Sequence, residues 1–223
     1  EHKDELAIAA MNKPTNSDIY TTQLAQFVES FFTITMPDIF KYGFFIEGGA
    51  LAIENALKAS FDWKVRKNYQ KNGSAQEIGS KVIHFSNCFH GRTGYTISLT
   101  NTSDLRKTAN FPKFDWPRII NPAVKFPLND NNLSYVMALE AKALDQIKGA
   151  ISQYGNDVAA LIIEPIQGEG GDHHFRTEFF QALRQICDEN EIMLIYDEVQ
   201  SGMGITGKWW AWQNHNVAPD LMG

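Results

Sequence analysis

The chain has 223 residues, 43% hydrophobic and 21% charged, which is the balance of an ordinary folded domain and not of a disordered or fibrous chain. Twenty basic against twenty-six acidic side chains give a net charge of −6, which argues against a nucleic-acid surface, since phosphate binding draws on clustered Lys and Arg. No apolar run reaches the roughly eighteen residues that a membrane-spanning helix needs. The only two cysteines, Cys88 and Cys187, exclude a disulfide scaffold and fit a reducing, cytoplasmic compartment.

Residues 1–16 are polar, contain Pro14 and read as a leading segment; the start at Glu1 without methionine reads as a cut end. From Ser17 to Phe32, the residues Leu24, Phe27, Val28 and Phe31 recur at helical spacing and predict an amphipathic helix. Tyr42-Gly-Phe-Phe-Ile46 is aromatic and β-branched, which predicts a short buried strand. Gly48-Gly49 breaks that run, and Ala52, Ala56, Ala59 and Trp63 keep the rhythm of a helix from about residue 50 to 68. Lys81 to Ser86 (KVIHFS) predicts a strand, and 87–94 a polar turn.

Residues 101–131 hold four of the eight prolines and little periodicity, and read as a long loop. Leu133 to Tyr154 returns to helix on Val136, Leu139, Ala143, Leu144 and Ile147. VAALII (158–163) predicts a strand ended by Glu164-Pro165. Thr177 to Glu189 predicts a helix capped by Thr177 or a neighbour, and IMLIY (192–196) a further strand halted by Asp197-Glu198. Strands that are apolar on both faces and alternate with helices imply a mostly parallel central sheet covered by helices, the α/β class.

Ligands of open α/β sheets collect at the carboxyl ends of the strands, and three motifs fall there. Glu47-Gly48-Gly49-Ala50 opens a long helix, whose uncompensated N–H groups and positive dipole end suit a phosphate, or which simply makes a tight turn. Asn87-Cys88-Phe89-His90-Gly91-Arg92 sets an aromatic ring near a guanidinium, a pair suited to a planar ligand with a carboxylate, or a packed ring in a solvated loop. Asp197-Glu198-Val199-Gln200 puts a carboxylate at a buried strand end, where it needs a cation or strong donor. A protonated pyridine nitrogen would serve, as would an internal salt bridge. Glu164 and Glu169 add acids to the same edge.

Gly202-Met-Gly204-Ile-Thr-Gly207 matches G-x-G-x-x-G, but Asp-Glu-Val-Gln-Ser separates it from the preceding apolar strand, and a Trp cluster follows where a dinucleotide site wants a helix. His84, His90, His173 and His174 lack partners at metal spacing, so no metal site is expected.

Together the motifs resemble the large domain of a fold-type I, class III aminotransferase that uses pyridoxal 5'-phosphate. The resemblance rests on FFIEGGALAIENALKASFDWK, NCFHGRTGYTISLTNT, KTANFPKFDWPRI, ALIIEPIQGEGGD and YDEVQSGMG, in the family's order from about residue 12 onward. The GGALAIENALKA and FPKFDWPR stretches are narrower and point to the L-lysine 6-aminotransferase branch.

The resemblance implies that Gly49 and Ala50 cradle the cofactor phosphate and Phe89 stacks on its ring. Asp197 would pair with the ring nitrogen, and Gln200 would hydrogen-bond the phenolic oxygen. It implies further that Arg92 holds the substrate α-carboxylate and that Glu169 is the acid that masks a second arginine, so that ω-amines and 2-oxoglutarate share one pocket. The Schiff-base lysine is expected a few residues past Gly223. The chain is then a partial large domain over 1–223, without the N-terminal segment and C-terminal small domain of the family, and is expected to be inactive alone.

The implied reaction moves the ε-amino group of L-lysine to 2-oxoglutarate, giving glutamate and a semialdehyde that cyclises, in a cytoplasmic homodimer. An ornithine or other ω-amino-acid transaminase is the near alternative, since one methylene is worth only about 1–3 kcal/mol in a pocket. A nicotinamide-dependent oxidoreductase using Gly202 to Gly207, and a homologue without the lysine, are the distant ones.

Overall fold

The computed structural model describes residues 2–11, 20–73 and 76–223. The chain divides into two compact units, residues 1–44 and 45–223.

The first unit contains α1 (Lys3–Met11) and α2 (Thr22–Ile34). The Thr21 hydroxyl caps α2 by accepting from Leu24 N at 3.1 Å. α1 lies where the sequence suggested only a leading segment, because a nine-residue stretch without a consistent apolar stripe gives periodicity nothing to detect. No helical residue in either element is buried. Residues 17–19 of the expected helix, and Pro14, lie outside the described residues.

The second unit runs α3 (Gly49–Asn72), β1 (Lys81–Phe85), α4 (Thr96–Leu99), β2 (Arg118–Ile119), α5 (Asp130–Tyr154), β3 (Val158–Ile163), β4 (Ile166–Gln167), β5 (His173–His174), α6 (Thr177–Asn190), β6 (Met193–Tyr196) and β7 (Leu221–Met222). Five strands form one sheet in the order β2-β1-β3-β6-β7, every pair parallel, while β4 and β5 make a small antiparallel pair. The fold is α/β, with all six residues of central β3 buried, as a strand covered on both faces requires.

Strand alternation sorts the core onto two faces. Val82, Ala160, Ile162 and Ile195 pack with Ile53, Ala56 and Leu57 of α3 and with Leu99 and Trp116 of the β1–β2 crossover. The residues between them face the other way, where Phe85 meets Phe179 and Tyr196 meets Phe180, both phenylalanines on α6. The chain therefore leaves β1 in one direction across the α3 face and returns through α5 and α6 across the other. The carboxyl ends of β1 and β3 flank the point where the strand order reverses.

Two expectations are corrected. Tyr42 to Ile46 forms no strand, and Tyr42, Phe44, Phe45 and Ile46 are exposed: β propensity is a fitness for a pleated, half-buried surface and does nothing without a neighbouring strand. The loop 101–131 contains β2, whose two residues between Pro117 and Pro122 are too short to show alternation. The cap of α6 falls on Arg176, the neighbour of Thr177, without a side-chain capping bond, and Thr177 shares a 2.9 Å hydrogen bond with His215 Nδ1.

Candidate functional site

Four segments converge beyond the carboxyl ends of β1, β3 and β6. The first is the N-terminus of α3, which no side chain caps. A Cβ on Gly49 would lie 2.7 Å from Val199 Cγ2, and one on Gly91 would lie 2.4 Å from Ala50 Cβ. The loops after β6 and after β1 thus both press on the first turn of α3, and glycine is what lets them. The turn after β3 closes the ring: a Cβ on Gly170 would sit 1.9 Å from the Asn87 carbonyl oxygen, and one on Gly168 3.3 Å from Gln200 Cβ.

The loop after β1 is pinned along its length. Thr100 Oγ1 accepts from His90 N at 3.0 Å and donates to Gly91 O at 2.7 Å, and Asn101 N donates to Cys88 O at 2.8 Å. Phe89 N donates to Glu164 Oε1 at 2.8 Å, which ties the loop to the end of β3. Phe89 is half-buried beside this bond and Arg92 is exposed two residues after His90.

Asp197 and His90 form the centre. The His90 Nδ1 to Asp197 Oδ2 distance is 2.7 Å, both side chains are buried, and Val199 N donates to the other Asp197 oxygen at 3.1 Å. Burial disfavours the imidazolium, but Cys88 beside it and the bonded Asp197 carboxylate outweigh that, holding the His90 pKa well above the ordinary histidine value. Glu164 lies in the same cluster. Burial pushes its carboxyl up to about 7, against the pull of His90 and with the push of Asp197. His90 Nε2 is buried and has no partner among the described residues.

The site residues expected from sequence are therefore gathered at this one edge. Gly49 and Ala50 begin α3, Phe89 and Arg92 belong to the β1 loop, Glu169 to the β3 turn, and Asp197 and exposed Gln200 to the β6 loop. His90 was not singled out from the sequence. The signal was present in the rule that a buried aspartate demands a strong donor, but β3 lies between the strands that carry the two residues. Glu198 has a different task from its neighbour: it accepts from Ser201 Oγ, Ala211 N and Trp212 N and anchors the 3-10 turn at 211–214.

Gly202 to Gly207 lies in turns and opens no α-helix, so the context that a dinucleotide fingerprint needs is missing. Among the described residues no group of three or more His, Cys, Asp or Glu could hold a metal, and no helix is long and apolar enough to cross a membrane.

An uncapped helix start for an anion, a half-buried ring and a buried aspartate locked by a histidine fit a phosphorylated, protonated pyridine. The sequence model of the family described as aminotransferase class-III matches residues 6–223. The chain belongs to the class-III aminotransferase family.

Among members of that class, an L-lysine-epsilon aminotransferase from Mycobacterium bovis is 51% identical over 222 residues, covering 100% of this chain and 48% of that protein. One from Streptomyces clavuligerus is 47% identical over 220 residues, covering 98% of this chain and 47% of that protein. The solved structure of a lysine aminotransferase from M. tuberculosis, in its internal aldimine form, superposes with a TM-score of 0.92 at 51% identity, over 99% of this chain and 50% of that one. The chain thus spans about half the length of the class-III relatives it matches.

Proposed function

We propose that this chain is part of the large, cofactor-binding domain of a lysine 6-aminotransferase, transferring the ε-amino group of L-lysine to 2-oxoglutarate with pyridoxal 5'-phosphate. The carrying observation is the lysine-branch identity of 51% over the whole chain, joined to a strand-end site whose groups suit that cofactor. A 4-aminobutyrate aminotransferase from Emericella nidulans shares only 32% identity over 98% of the chain, which favours the lysine branch over that ω-amine.

When bound, the cofactor supplies an aldehyde for the amine and a ring that accepts electron density as long as its nitrogen stays protonated. Asp197 is the residue to hold that proton, because its carboxylate is buried and fixed on both oxygens by His90 and Val199. The backbone N–H groups of Gly49 and Ala50 at the uncapped start of α3 would hold the phosphate. Phe89, tied by its N–H to Glu164, would stack on the ring, and Gln200, in the same group of loops, would hydrogen-bond the phenolic oxygen. Arg92, exposed at the rim, binds the α-carboxylate, which leaves the distal amine of lysine to reach inward. Glu169 adjoins the acceptor's place. The working enzyme would be a cytoplasmic homodimer.

The test is kcat/KM of the full-length holoenzyme for L-lysine against L-ornithine with 2-oxoglutarate. A preference for lysine of about tenfold or more, the range that one methylene commands, is expected. A preference for ornithine would move the enzyme to the ornithine branch while leaving the cofactor site in place. Asp197→Asn should weaken cofactor binding and slow turnover by orders of magnitude, and near-normal turnover would remove Asp197 from its role.

A further inference from the structure

One step past their last paired residues, β3 and β6 are both acidic. Ile163 and Tyr196 pair in register, and Asp197 N donates to Ile163 O at 3.0 Å, so Glu164 and Asp197 leave the sheet side by side. Both are buried, and two buried carboxylates on neighbouring strands repel unless a proton or a cation intervenes. The cation that acts on both is His90, which bonds Asp197 at 2.7 Å. Glu164 itself takes only neutral donors, Phe89 N at 2.8 Å from the loop after β1 and Gly168 N from its own turn. Glu169, farther along that turn, pairs with Lys107 Nζ at 2.5 Å and stays outside this balance. The cluster therefore sets two acids against one cation.

From this geometry we infer that Glu164 is a positioning residue for the cofactor: it supplies the second negative charge against which a protonated pyridine ring is held, and it gives up its carboxyl proton when that ring is bound. The inference rests on the reading of this edge as the pyridoxal-phosphate site. Without the ring, Asp197 and His90 balance one another. Burial and the Asp197 charge, against the pull of His90, push the Glu164 carboxyl up to about 7, so near neutral pH about half the molecules keep its proton. A ring nitrogen protonated beside Asp197 adds one positive charge. His90, the ring and the two carboxylates then sum to zero only with Glu164 ionised: its O–H bond breaks and the proton passes to the buffer. By reciprocity, ionised Glu164 tightens cofactor binding by the same factor by which the bound ring eases its ionisation.

The experiment titrates the full-length apoenzyme, wild type and Glu164→Gln, with pyridoxamine 5'-phosphate, the amine form of the cofactor, which binds without a covalent bond. Calorimetry in buffers of different ionisation enthalpy counts the protons exchanged, and those of the ligand itself are common to both proteins. At pH 7 the wild type should release about half a proton more than the variant, and at pH 8.5, where Glu164 is ionised throughout, the two should agree. The dissociation constants should be alike near pH 5, whereas at pH 8.5 the variant should bind at least about tenfold more weakly, the value of one pKa unit. Losing only the acceptor for Phe89 N would weaken binding equally at every pH. If the variant does not fold, infrared difference spectra of the wild type at pH 7 decide alone: a protonated-carboxyl stretch should vanish on binding, since this ligand has no carbonyl of its own. Equal proton counts at pH 7, a ratio of dissociation constants indifferent to pH, or a carboxyl band that persists would overturn the inference. A wild type that binds no pyridoxamine 5'-phosphate at any pH would instead overturn the cofactor reading, so the two failures are distinguishable.

Discussion

At the residue scale, the site sets two buried histidines to opposite tasks. His84, on β1, accepts at Nε2 from Arg118 Nε at 3.1 Å, and burial with that neighbouring charge drives its pKa down to about 3, so it is neutral. His90, bonded to Asp197, stays charged. Glu164 adds a third buried group with its carboxyl pushed up to about 7. Between the ordinary carboxyl value and pH 7 the folded state keeps a Glu164 proton that the unfolded chain has lost. The folded state then binds more protons, and this contribution to stability falls as pH rises through the window, levelling off above 7. His84 acts in the opposite sense: below its ordinary value the unfolded chain binds a proton that the folded protein refuses, so its contribution falls as pH falls toward 3. The two slopes oppose one another from about pH 4.5 to 6.5, so the wild-type profile alone conceals both. Glu164→Gln exposes them. Urea unfolding at pH 5, 6 and 7 should show the variant gaining on wild type as pH rises, by up to about 3 kcal/mol in all. A pH-independent difference would mean that Glu164 is ionised throughout. At the rim, Arg92→Ala should raise KM for L-lysine at least about tenfold if it loses a charge-assisted bidentate pair, while leaving the cofactor absorbance intact. An unchanged KM would assign the carboxylate to another group.

At the element scale, the strand-end loops are held to one another by contacts that only glycine allows. Gly170 in the turn after β3 approaches the Asn87 carbonyl so closely that any Cβ would collide with backbone. Gly170→Ala must separate the turn carrying Glu169 from the loop carrying Phe89, at a cost of about 1–3 kcal/mol if the loops yield. Because Glu169 and Phe89 move apart, kcat/KM should fall more steeply than thermal stability; a loss of stability with unchanged kinetics would show that the turn is only scaffold. The same contacts explain what was legible beforehand. β1, β3, β6, α3, α5 and α6 could be read from periodicity because their burial is local to the element. β2 and β7, of two residues each, could not, because they exist only through pairing with β1 and β6. The site followed the same rule. Gly49 opens α3 and Phe89 and Asp197 follow strands, so all three were visible, whereas the His90–Asp197 and Lys107–Glu169 pairs join positions 107 and 62 residues apart, and nothing local announces them.

At the scale of the whole molecule, the packed core belongs to one unit of the chain. The packed cluster runs from Ile53 to Ile195, entirely within residues 45–223, with β3 enclosed between β1 and β6. Residues 1–44 bury no helical side chain, yet they expose Phe27, Ile34, Tyr42 and Phe44. Large apolar side chains left exposed on helices that bury nothing are candidates to meet another surface. The proposed homodimer of a longer chain would supply one, so hydrogen exchange on the full-length enzyme separates two kinds of protection. Amides of β3 and β6 should exchange only through global unfolding and be the slowest in the molecule. Amides of α2 should be slow only while the dimer persists, and should accelerate on dilution below its dissociation constant while those of β3 do not. If α2 exchanges quickly at every concentration, the exposed aromatics of residues 27–44 are not the dimer contact. If α2 and β3 accelerate together, the parallel sheet itself depends on the second subunit, and the fold described for residues 45–223 is not stable on its own.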